Sequence, residues 1–82
     1  MATGNAKKFI ERGLAVPLSK ELAAQITASV GNARRLKELG VTPRAADMMA
    51  ASVVSHSVDK KKLVESGVIP VVANEFAAQI AS

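Results

Sequence analysis

Large apolar residues recur along this chain in short sets, and the sets repeat. Leu18, Leu22, Ile26 and Val30 stand four apart, the spacing of one helical face. Ala45, Met49 and Val53 repeat that row, and so do Val72, Phe76 and Ile80. Beside each row runs a line of small residues: Ser19 and Ala23, Ala46 and Ala50, Ala73 and Ala77. Large residues beside small ones let the ridges of one helix enter the grooves of another. The pattern predicts three long helices, at about 17–29, 44–55 and 71–81.

A 27-residue period underlies the rows. It relates Gly13, Gly40 and Gly67, and equally Glu11, Glu38 and Glu65. The same step carries Ala23-Ala24 to Ala50-Ala51 and Ala77-Ala78, and Phe9 to Leu36 and Leu63. Ala-rich composition alone would not place a glycine, an acid and large apolar residues at one ungapped period.

Local chemistry gives each repeated position a role. Asn5, Asn32 and Asp59 are good N-cap residues and predict short helices at about 6–12, 33–39 and 60–66. Each glycine then falls where a helix end needs a left-handed residue. If Gly13 is that residue, Leu14 and Phe9 are the two positions that a Schellman ending brings into apolar contact. Val41 with Leu36 and Val68 with Leu63 repeat the pair. Pro17, Pro43 and Pro70 open the long helices, where a missing N–H costs nothing, and Thr42 is an expected N-cap. Pro17 lies one place later than its counterparts, so the first turn is expected to differ. The fold class is all-α: one domain over 1–82, with hairpin repeats at 5–31, 32–58 and 59–82 and six helices.

Composition narrows the chemistry. Cysteine is absent, which leaves neither a disulfide framework nor a thiolate metal site. The longest charge-free runs, Leu22–Ala33 and Met48–Val58, fall short of the roughly 20 residues a membrane span needs. Met1–Gly4 is short and polar, with Lys7 and Lys8 close behind, unlike a signal peptide, so synthesis in the cytoplasm is expected. The net charge of +4 permits an acidic or nucleic-acid partner and demands neither. His56, the single histidine, sits between serines in the second linker, without the orienting partner of a catalytic triad. The acids are scattered and each glycine stands alone, so no metal cluster or phosphate loop is expected. These features predict a non-enzymatic protein without a cofactor.

Seven of the eleven Lys and Arg residues lie in the first turns of the short helices: Lys7, Lys8, Arg34, Arg35, Lys60, Lys61 and Lys62. A helix start disfavours cations by about 0.3–1 kcal/mol each at low salt. Two readings stay open for them. They are a solubilising face with ion pairs to Glu11, Glu38 and Glu65, or an anion-binding surface for phosphate or an acidic partner. Without aromatic residues to stack on bases, single-strand binding is disfavoured.

One short and one long helix cannot be stable alone and must stack on neighbours. The third unit is the most apolar, with Val64, Val68, Ile69, Val71, Val72, Phe76 and Ile80. The expectation is therefore an uncovered end, with Val72, Phe76 and Ile80 as partner-binding residues. Arg34, Arg35, Lys60, Lys61 and Lys62 would form its polar rim, and the partner would be another protein or another copy.

The segments FIERGLAVPLSKELAAQI (9–26), LKELGVTPRAADMMAASV (36–53) and LVESGVIPVVANEFAAQI (63–80) resemble the short helical repeats of small tailed-bacteriophage head-fibre and capsid-decoration proteins. The likeness covers nearly the whole chain, without the fibrous part such proteins often carry. It implies a virion structural protein that docks on the capsid shell, a fibre or copies of itself. The alternative is a small basic helical protein that binds nucleic acid or regulates.

Overall fold

Residues 2–82 are described by a computed structural model. Six helices alternate short and long: α1 (Ala6–Glu11), α2 (Val16–Ala28), α3 (Ala33–Glu38), α4 (Pro43–Ser55), α5 (Lys60–Glu65) and α6 (Pro70–Ala81). The side chains of Asn5, Asn32 and Asp59 accept hydrogen bonds from the backbone N–H groups of Lys8, Arg35 and Lys62, which fixes the three short starts. Each short helix ends in a full Schellman motif. Leu14 N–H donates to Phe9 O and Gly13 N–H to Ile10 O, and both bonds recur at Gly40 and Gly67. The three glycines have φ of 97°, 104° and 112°, where a β-carbon is unfavourable.

The long helices start from one turn conformation. Ala15, Thr42 and Ile69 hold φ near −60° and ψ of 146°, 149° and 143°. The first turn therefore does not differ, contrary to the expectation from Pro17. No residue is inserted: Val16 holds the register of Pro43 and Pro70, Pro17 sits at the second helical position instead of the first, and neither position has an intrahelical partner for an N–H. Thr42 caps α4 through Ala45 N–H, as its residue type predicts.

Helix pairing follows the chain, as three hairpins: α1 with α2, α3 with α4, α5 with α6. Each long helix also packs on the next short one, α2 on α3 and α4 on α5. The series then returns to its start, because α6 packs on α1. Three equivalent units thus close into a ring with pseudo-threefold symmetry. Principal extents of 26 × 24 × 22 Å and a radius of gyration of 10.7 Å describe a nearly isometric body.

The core lies inside the ring. Phe9, Leu36 and Leu63 are completely buried, one from each short helix. Leu22, Met49 and Phe76, and then Ile26, Val53 and Ile80, contribute the matching long-helix layers. Burying each such side chain stabilises by about 1.5–3 kcal/mol. Gly4 and Gly31 let the linkers lie against the long helices. A β-carbon on Gly4 would meet Ala23 O at 2.0 Å, and one on Gly31 would meet Ala50 O at 2.2 Å. These two glycines also stand one period apart. Val58, packed against the core, holds the third register.

Candidate docking surface

The closed ring changes the reading of the third unit. Val72 is 1% exposed, Phe76 0% and Ile80 5%, so these three residues face the protein's own core. They were expected to meet a partner because one hairpin cannot cover them. The cover comes from the first hairpin, as α1 closes on α6. The exposed surface of 4538 Å² agrees with the roughly 4,700 Å² of a folded monomer of this mass.

The basic residues are at the surface, on different hairpins. Arg34 is almost fully exposed, 3.8 Å from Glu38. Arg35 reaches Glu38 at 3.2 Å and Glu21 at 3.4 Å, and the Glu38 hydrogen bond, then that of Glu21, holds its guanidinium pKa above the ordinary arginine value. Lys60, Lys61 and Lys62 are exposed, and among the described residues no carboxylate lies within 4 Å of their ammonium groups. The ladder of pairs inside each short helix is thus realised only in α3. Glu11 pairs with its neighbour Arg12 instead.

Two buried polar clamps hold the ring. At the first junction, Gln25 accepts from Asn32 N–H at 3.0 Å and donates to Asn32 O at 3.2 Å. At the closing junction, Gln79 accepts from Asn5 N–H at 2.8 Å and donates to Asn5 O at 3.0 Å. Each glutamine also donates to the carboxylate one turn before it, Glu21 or Glu75. Those carboxylates reach the next unit, Glu21 to Arg35 and Glu75 to Arg12 at 3.1 Å. The remaining junction carries Met48 and Ser52 at the corresponding positions and has no such clamp; Ser52 donates to Met48 O within α4. The sequence reading missed these clamps, although Glu-x-x-x-Gln at 21/25 and 75/79 was the available signal.

Where the three hairpin turns meet, the pseudo-threefold axis opens into an apolar hollow of about 300 Å³. Its rim carries Gly13, Gly40 and Gly67, and its walls Leu14, Val41 and Val68. Its floor is Leu18, Ala45 and Val72, with Met49 beside them. The only hydroxyl on the lining belongs to Thr42, which donates to Ser66 O at 3.1 Å and accepts from Ala45 N–H. Val16, Ile69 and Val71, all about half exposed, lie at the long-helix starts that open onto this end. None of the residues predicted to bind a partner forms this mouth except Val72, in its floor.

His56 is exposed and ends α4 in the left-handed conformation, at φ 56°, as Ser29 ends α2 at φ 57°. Among the described residues no three His, Cys, Asp or Glu side chains gather as metal ligands would, and no helix is long and apolar enough to cross a membrane. No family model matches the chain, and no curated protein or solved structure is significantly similar to it.

Proposed function

We propose that the chain is a non-enzymatic structural module of a bacteriophage virion, a head-fibre base or capsid-decoration component that docks on other virion proteins. The observation that carries the docking part is the apolar hollow at the meeting point of three equivalent turns, flanked by exposed Val16, Ile69 and Val71. Val16, Ile69 and Val71 are three of the exposed large apolar side chains, the others being Ile10 and Val64 on short helices and Val30 and Val54 at the far ends of α2 and α4; apolar side chains grouped beside a hollow suit an interaction site. The virion part comes from the resemblance of the three repeated segments. A structural role is also favoured by where the buried polar groups are used. Ser19, Gln25, Ser52, Glu75 and Gln79 all bond within the chain, and among the described residues no buried side-chain nitrogen or oxygen lacks a partner.

The test is immunogold labelling of purified particles from the producing host, together with co-sedimentation of the isolated protein on empty capsids. Saturable attachment is expected; its absence from both particles and shells rejects the reading. Binding to duplex DNA is the competing outcome. It would fall steeply with salt if the basic helix starts contact phosphates.

A further inference from the structure

The three junctions of the ring are not held alike. The first joins hairpins one and two by backbone and by the Gln25–Asn32 clamp. The closing junction joins hairpins three and one through the Gln79–Asn5 clamp and the Glu75–Arg12 pair, without a backbone link. The second joins hairpins two and three by backbone, without a clamp. Its linker is also the less anchored of the two. His56 holds φ at 56°, a left-handed conformation that a side chain disfavours. Ser29 does the same in the first linker, but there Gly31 lets the chain lie on α4 and Gln25 grips Asn32. The second linker bonds to its own helix end: Ser57 N–H donates to Ser52 O at 3.3 Å, and Ser55 Oγ to Ser57 O at 3.5 Å.

We propose that the third hairpin, residues 59–82, is exchanged between two copies of the chain, with residues 56–58 as the hinge. The partner is fixed by what the hairpin already fits. The first hairpin of a second copy offers the same Asn5 and Arg12 to Gln79 and Glu75. Every contact between hairpins re-forms across the two copies, and only the hinge differs. An opened copy does not persist alone, because Phe76 and Ile80, buried in the closed ring, would meet water. Extending the hinge releases His56 from the left-handed region once in each copy, and strained hinges of this kind favour exchange. Closure within one chain opposes it, acting like a local concentration in the millimolar range for a short linker. The isolated protein is therefore monomeric at micromolar concentration, and exchange takes place when copies open together at millimolar concentration.

The experiment unfolds the full chain in urea, refolds it at micromolar or millimolar concentration, and separates the products by size-exclusion chromatography. A dimer is expected from the millimolar sample only. His56→Gly relieves the closed turn and should lower the dimerisation constant by at least about tenfold. His56→Val, β-branched and so worse in the left-handed region, should raise it by a similar factor. Dimer assembled from differently isotope-labelled copies shows which contacts cross. Asn5 and Gln79 should give nuclear Overhauser contacts between chains, while those of Gln25 with Asn32 stay within one. Absence of a dimer from millimolar refolding of both wild type and His56→Val overturns the proposal. So does a dimer whose Asn5–Gln79 contact stays within one chain, which is surface association. A Gln25–Asn32 contact that also crosses would put the hinge in the first linker, and equal constants in both variants would remove His56 from it; either result overturns the assignment made here.

Discussion

Gly31→Ala is the most direct probe of how the linkers are packed. The added β-carbon would stand 2.2 Å from Ala50 O, 2.8 Å from its carbonyl carbon and 3.0 Å from its Cα. All three are backbone atoms of α4, so no side chain can turn aside, and the linker must retreat by about 1 Å to restore ordinary contact. Overpacking of this kind costs about 1–3 kcal/mol, and a retreat that also loosens the Asn32–Gln25 clamp belongs at the upper end. The unfolded chain returns about 0.4–1 kcal/mol, because alanine has fewer conformations to lose. A net loss of about 2 kcal/mol remains, from a total stability of about 4–12 kcal/mol for a chain of this length. That corresponds to a melting temperature lower by about 8–16 °C. Gly40→Ala is the reference, since its β-carbon meets nothing and only φ of 104° opposes it, at about 1 kcal/mol. Thermal and urea unfolding followed by circular dichroism measure both. If Gly31→Ala melts within 2 °C of wild type, or above Gly40→Ala, the close approach is wrong.

Three further outcomes are expected. His56→Gly should stabilise by about 1 kcal/mol, because the residue already sits in the left-handed region that glycine occupies without cost; an unchanged urea midpoint would contradict this. Gln79→Ala should destabilise by about 1–3 kcal/mol by leaving Asn5 N–H and Glu75 without their partner, and should speed exchange of the Asn5 amide more than that of Asn32. Phe76→Ala should cost about 3–5 kcal/mol as a core cavity, lowering the melting temperature of the isolated monomer; a change in partner binding with stability intact would return Phe76 to the surface.

Local features were readable from the residues alone. The Schellman glycines, the Asn and Asp caps and the helix limits, to within a residue, depend on neighbours a few positions away. The pairing of short and long helices follows from the same repeat. Closure of α6 on α1 does not, because it depends on the angle each unit turns relative to the last. That angle is set by packing of layers such as Phe9 against their neighbours, not by any one residue type. So the apolar third unit looked like an open end, and Val72, Phe76 and Ile80 looked like an interface. The clamp glutamines were visible as letters, yet their role needs the geometry: Asn5 lies 74 positions from Gln79 in sequence. The axial hollow is a comparison across units, and reading it requires knowing that Leu18, Ala45 and Val72 meet.

The closing clamp also bears on connectivity. Residues 2–82 make up three lengths of the 27-residue period, so Ala2, Thr3 and Gly4 hold the registers of Ser29, Val30 and Gly31. In the first linker those three residues carry the chain from α2 to Asn32. Their counterparts lead into Asn5, already bonded to Gln79 on the far side of the seam. A peptide bond from Ser82 to Ala2 would therefore continue the 27-residue period around a closed chain with no inserted residue. On such a circle the order of the hairpins is a cyclic permutation, and the start of the chain could be moved to Asn32 or Asp59. The permutant opened at Asp59 cuts the one junction without a clamp, and so should keep more of the parent stability than the permutant opened at Asn32.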